Sequence, residues 1–198
     1  MYDYHQTSAF HRFHNLRQTL SQHLNPAMLS PTELLRELSL TSFLEVIDRA
    51  GMSEEINNAP ALTLYVPTNE AFAALSLDDT KEMTAVRTQC RELVKTHCVY
   101  GFFKFHGALD SLKYFDQERW TWCYGVKIKH QLQPAPNVIT SSRQPNACAL
   151  PLYYLRSANG GMWIIDAVLG SSDQRQYEVL DGTRGDNKEV HVRDLVAA

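Results

Sequence analysis

Thr68, Asn69, His97 and Asp166 stand among apolar neighbours, and each carries a side chain that can do chemistry. A histidine and an aspartate held together could move protons for a nucleophile, but the sequence places no nucleophile beside them. A buried polar group left unpaired costs about 1–3 kcal/mol, so these four are expected to bond to one another or to backbone. No catalytic residue is assigned. A different candidate is Arg184-Gly185-Asp186, in which a guanidinium and a carboxylate held apart by a flexible glycine can bridge a receptor acid and a receptor metal ion. Roughly one chain in thirty of this length holds that triplet by chance at ordinary residue usage. Its place in a polar stretch between Gly182 and Asn187 is what favours a role in binding.

Metal chemistry has weaker support. His11 and His14 fall on one helical face, yet beside the stripe Phe10, Phe13, Leu16, Leu20 and Leu24 they read as exposed helix histidines. Cys90, Cys98, Cys123 and Cys148 contain no Cys-x-x-Cys pair, so no structural zinc is expected; they are either buried free thiols or joined in one of three pairings. No Gly-rich phosphate loop and no Gly-x-Ser-x-Gly turn occurs, and neither metal nor cofactor is expected. With 19 Lys+Arg against 22 Asp+Glu the net charge is −3, which gives no basic surplus for tracking nucleic acid. The longest near-apolar run, Ala147 to Leu155, is about half of what a membrane-spanning helix needs and contains Pro151. Histidines and charges fill the N-terminus where the apolar centre of a signal peptide would sit. At 198 residues and 44% hydrophobic, the chain can bury a core.

The elements that must position these residues are marked locally. Ser30-Pro31-Thr32-Glu33 opens a helix with a hydroxyl cap, an N-terminal proline and a carboxylate that can reach back to the cap. Ser42 and Glu45 are expected to repeat the device for a second helix, which runs to a left-handed stop at Gly51. Leu62 to Val66 reads as a buried strand ended by Pro67, after which Thr68 caps a helix carrying Phe72. Met83, Val86, Cys90, Leu93, Val94 and His97 predict one longer helix from Asp78 to about His97. The second half changes to period two. Trp120, Trp122, Tyr124, Val126 and Ile128 predict the bulky face of one half-buried strand, read as core and not as a ligand shelf. Further strands are expected at Val99 to Phe105, Val138 to Thr140, Cys148 to Leu155 and Met162 to Leu169, with turns at Pro134-Ala135-Pro136, Pro145-Asn146 and Asn159-Gly160. Helices first and strands later argue an α+β fold.

Two segments carry a family resemblance. LTLYVPTNEAFAAL, Leu62 to Leu75, resembles the first signature of the fasciclin domain, and SANGGMWIIDAVL, Ser157 to Leu169, resembles the second. Between them RELVKTHCVYG resembles the central segment of the family, where a histidine closes a helix before a strand, and SFLEVIDRAGMSEEI matches the helix that precedes the first signature. The resemblance implies a single fasciclin-like α+β domain with helices packed on a β-wedge of two small sheets. It also implies a non-enzymatic adhesion module of the kind that periostin and keratoepithelin carry in tandem. The family residues map to Pro67, Thr68, Asn69, Phe72, His97, Asn159, Gly160, Ile165 and Asp166. A Tyr-His pair to which integrin contact has been attributed in the family corresponds here to Thr96-His97, without the tyrosine. The acidic residue that precedes the second signature in the family is likewise missing from Leu152-Tyr153-Tyr154-Leu155.

The expected organisation is an amphipathic lead over 1–29, a fasciclin domain over 30–170, a polar linker over 171–188 and the truncated start of a second fasciclin domain over 189–198. On this reading the chain is a fragment, and its missing signal peptide is a consequence of where it was cut. The expected partners are matrix proteins or cell-surface receptors, integrins among them, and neighbouring fasciclin domains; the expected setting is extracellular. The rival expectation is an intracellular or lipid-associated protein that binds a small ligand in an apolar cleft near Trp120 and Trp122.

Overall fold

The computed structural model describes residues 26–101, 117–131 and 138–171. The N-terminal stripe with His11 and His14, the Pro134-Ala135-Pro136 turn, Arg184-Gly185-Asp186 and the expected C-terminal helix lie outside the described residues.

After a 3-10 turn at Pro26–Met28, helix α1 spans Pro31–Glu37. Its expected cap is present. The Ser30 hydroxyl accepts from the Glu33 amide, while Glu33 Oε2 accepts from the Ser30 hydroxyl at 2.7 Å and from the Ser30 amide at 2.8 Å, and these two bonds to the carboxylate hold it below the usual range. Helix α2, Thr41–Ala50, corrects the sequence reading: its N-cap is Leu40, and neither Ser42 nor Glu45 caps it. The Ser42 amide is instead taken by Asn69 Oδ1 at 3.0 Å. A partner 27 positions away leaves no local signal. Gly51 ends the helix at φ 64°, as expected, and Arg87 and Arg91 both donate to the Ala50 carbonyl beside it. Helix α3, Ser53–Asn58, follows.

Strand β1 is Leu62–Pro67, and the Thr68 hydroxyl caps α4, Asn69–Ala73. The long helix expected from Asp78 to His97 is in fact two, α5 at Leu77–Thr84 and α6 at Arg87–Thr96. Val86 lies between them in extended conformation and is exposed, with its amide held by Gln89 Oε1 at 3.1 Å. Strands β2, Cys98–Tyr100, β3, Gln117–Trp120, β4, Lys127–Gln131, β5, Val138–Ser141, β6, Gln144–Ala149, β7, Pro151–Ser157, and β8, Gly160–Ile165, complete the order. The strand expected through Trp120 to Ile128 is a hairpin, because the chain turns between β3 and β4 with Gly125 at φ 75°. The strand expected from Cys148 to Leu155 divides at Leu150, so that β6 and β7 belong to different sheets. Pro145-Asn146 is not a turn but part of β6.

Among the described residues there are two four-stranded sheets, ordered β2-β1-β8-β7 and β3-β4-β5-β6. In the first, β1 and β8 run parallel from Leu62↔Gly160 to Pro67↔Ile165, while β2 and β7 flank them antiparallel. Strands β1 and β8 are buried along their whole length, since each has a core on both faces. Leu62, Leu64, Val66, Met162 and Ile164 pack with Leu34, Phe43, Ile47, Leu93 and Val94 of the helices. Tyr65, Trp163 and Ile165 pack with Ile128 and Ile139 of the second sheet. Three layers result, helices, mixed sheet and antiparallel sheet, in agreement with the expected α+β class.

The β1–β8 approach leaves no room for a side chain at Gly160, where a Cβ would run into the Leu62 backbone carbonyl. Gly160→Ala should therefore destabilise the domain by about 3 kcal/mol. Gly125→Ala, strained in φ but facing open space, should cost about 1 kcal/mol. Urea unfolding of both variants checks this, and equal midpoints would show that the close approach is not what selects glycine.

Candidate functional site

The signature residues gather around the ends of β1 and β8. Pro67 closes β1, and the next amide, that of Thr68, donates to the Ile165 carbonyl at 3.0 Å. Thr68 Oγ1 accepts from the Ala71 amide at 3.1 Å. Asn69 reaches away from its own helix: Nδ2 donates to the Ser39 carbonyl at 2.8 Å and Oδ1 accepts from the Ser42 amide. Ser39 sits at φ 56°, a conformation unusual for a residue with a Cβ, and the Asn69 clip holds it there. The Phe72 ring lies 6.2 Å from that of Phe43, which in turn lies 5.3 Å from the His97 ring.

His97 is fully buried. Its Nδ1 lies 2.9 Å from the Leu93 carbonyl, and its Nε2 accepts from the Leu169 amide at 3.0 Å. Burial lowers its pKa to about 4, against a smaller upward influence of the Leu93 carbonyl. Asp166 marks the place where the chain changes sheets. Its amide donates to the Leu150 carbonyl at 3.2 Å and its Oδ1 accepts from the Leu150 amide at 2.6 Å, bracketing the break between β6 and β7. Asn159 Nδ2 donates to the Ile56, Asn57 and Ala59 carbonyls, which gathers the C-terminal end of α3 onto the β7–β8 turn. Its own carbonyl accepts from the Leu62 amide at 3.1 Å.

Of the two kinds of partner expected for these groups, one another or backbone, these bonds are to backbone. Both His97 nitrogens are occupied by main chain, so His97 and Asp166 form no proton-relay pair. Thr96 and His97 are buried too, which leaves neither side chain within a receptor's reach. Two framework groups were not singled out in the sequence: Asn57, whose side chain bonds both the amide and the hydroxyl of Thr32, and the pair Arg87 and Arg91 on the Ala50 carbonyl. Only the Gly51 stop hinted at the second.

The four cysteines are buried and unbridged, and burial raises the Cys98 and Cys90 thiols above their ordinary pKa. The aromatic face of Trp120 to Ile128 is only partly core. Val126 and Ile128 are buried, but Trp120 and Tyr124 are exposed, since the hairpin turn puts them on the outer surface. The Lys127 ammonium lies 4.5 Å above the Trp120 ring, and Trp122 packs 5.3 Å from Tyr100. A groove of about 340 Å³ lies elsewhere, between α5, α6 and the β5–β6 turn. Asp79, Gln89, Glu92, Thr96 and Arg143 give it a polar lining, unlike the apolar cleft expected near Trp120 and Trp122. No helix among the described residues is long and apolar enough to cross a membrane.

The architecture defines an α+β module whose signature side chains hold backbone segments together. The sequence matches the Fasciclin domain family over residues 38–171, and the chain belongs to that family. Among solved structures it is similar to the FAS1 domain pair of the insect cell adhesion molecule Fasciclin I, with a TM-score of 0.51 and 20% identity. The likeness covers 67% of this chain and 45% of that one, and at this identity it speaks for the fold alone. Among curated proteins none matches this chain. Fasciclin domains are linked to cell adhesion.

If the polar signature is a framework, Asn159→Ala and Asp166→Ala should each lower unfolding free energy by about 1–3 kcal/mol, because each strands buried main-chain groups. Denaturant titration reads the loss; an unshifted midpoint in either variant removes that residue from the framework.

Proposed function

We propose that this chain is an extracellular adhesion and matrix module that acts through protein–protein contacts in tandem with further fasciclin domains. The observation that carries the reading is the family membership of residues 38–171, together with signature side chains that are committed to main chain. The similar Fasciclin I structure is a pair of such domains from a cell adhesion molecule, which supports a tandem arrangement here. With Thr96 and His97 enclosed, the receptor contact is assigned to Arg184-Gly185-Asp186 in the polar stretch that follows the domain. Integrins are the receptor class this chemistry fits: the aspartate carboxylate meets a metal ion and the arginine a receptor acid.

Cells bearing integrins should attach to a surface coated with the protein, and Asp186→Glu, which moves the carboxylate by one methylene, should reduce attachment to the level of an uncoated surface. Equal attachment to both proteins excludes the triplet. Attachment to neither argues against the adhesion reading itself.

A further inference from the structure

We propose that His97 is an acid-released latch on the segment by which the chain leaves the domain, and that protonating its ring lets go of the Leu169 amide and frees residues 168–171 from α6. The bonding partners dictate the state of the ring. A carbonyl can only accept, so the nitrogen facing the Leu93 oxygen, Nδ1, carries the proton. An amide can only donate, so Nε2 must offer Leu169 a lone pair. One neutral tautomer satisfies both, and the imidazolium ion satisfies only the first. After protonation two donors face each other in a fully buried position, while the Leu93 bond survives. The failure is thus directed at Leu169 and away from the helix that carries the histidine.

The segment beyond is closed on itself, and with Val168 and Leu169 buried in the two cores its release also withdraws their side chains. The Ser171 amide and hydroxyl both bond back to the Val168 carbonyl, closing the last turn on itself. Leu169 and Gly170 line the polar groove together with Glu92 and Arg143, Gly170 lying against the Arg143 side chain, so release opens that groove.

Apart from Asp79 of α5, which is buried and lines the same groove as Leu169, the charged groups on the elements around the ring face outward. Glu45, Asp48 and Arg49 of α2 and Arg87 and Glu92 of α6 are exposed, as is Arg143 across the groove, while Arg91 and Lys95 are half-buried. Strand β1 contributes the buried phenol of Tyr65, whose ionisation burial pushes far above the ordinary range. Burial and the Leu93 carbonyl therefore govern the titration, with a latched pKa of about 4 against 6.5 for a free ring. Above pH 6.5 both states are neutral and the latch has its full strength. Below 6.5 only the released ring gains a proton, so release grows until about pH 4, where the latched ring protonates as well and the dependence ends. These values raise the release equilibrium about twentyfold between pH 7 and pH 5.

The test is native-state hydrogen exchange of the whole chain, corrected for intrinsic rates, in wild type and in His97→Gln, whose carboxamide offers a donor and an acceptor but does not titrate. Protection of the Leu169 amide should fall about twentyfold from pH 7 to pH 5 in wild type, by a route insensitive to low urea, and should stay level in the variant. Three results would overturn the latch: a flat wild-type profile, the same fall in His97→Gln, or a urea dependence at Leu169 equal to that of the core Val66 amide, which would mean that the whole domain opens. Should the variant fail to fold, nitrogen shifts of the wild-type ring decide instead. An unprotonated Nε2 at pH 7 that protonates well below 6.5 supports the latch, and a protonated Nε2 at pH 7 refutes it.

Discussion

The parallel pairing of β1 with β8 is the constraint on which the rest of the domain depends. It brings Leu62 against Gly160 and continues to Pro67 against Ile165, and it places two strands with a core on each face at the centre of three layers. Alternate residues of the same two strands hold the helices on one side and the second sheet on the other. Register is consequently tight. A slip by one residue would exchange Leu64 and Tyr65 between unlike cores and, in one direction, bring the Asn159 side chain into the space that Gly160 leaves for the Leu62 carbonyl.

Around this pair, side chains complete what the main chain leaves unbonded. Asn69 at the start of α2, Asn159 at the end of α3, Arg87 and Arg91 at the end of α2, and Asp166 at the Leu150 break each serve groups that secondary structure cannot. An asparagine suits two of these places because one amide group both donates and accepts. Asn69 uses both functions, on Ser39 and Ser42. The polar residues that look most chemical in the sequence are thus the ones whose capacity to bond is already taken up within the fold.

Where the controlling interactions are local, the sequence shows them. The Ser30 capping box, the Gly51 stop, the Pro67–Thr68 corner and the Asn159-Gly160 turn all rest on residues within four positions of one another, and each stands where its pattern predicts. The misreadings come from non-local control. Ser42 loses its capping role because Asn69 reaches its amide first, and the α5–α6 break passes unnoticed because Val86 continues an apolar spacing while facing solvent. The alternation from Trp120 to Ile128 runs straight through a hairpin, and Cys148 to Leu155 reads as one strand because the corner at Leu150 is imposed from outside by Asp166. The fold class and the signature positions could be read from the sequence, partly through family likeness, whereas the bonding of Asn57, Arg87 and Arg91 could not. The orientation of the exposed aromatics could not, since it follows from which edge of the second sheet they occupy.

The distance along the chain between the two central strands also sets the order of events during synthesis. The six α-helices among the described residues and β1 emerge before β8 exists, and at about 5–20 residues per second the gap between Leu62 and Gly160 lasts on the order of 5–20 seconds. For that interval β1 lacks its parallel neighbour, and Leu34, Phe43 and Ile47 lack Met162 and Ile164. The nascent chain thus carries a strand edge and a helical apolar face that β8 covers only later. Sequestering them until residue 165 has cleared the ribosome is a task this topology assigns to whatever meets the growing chain.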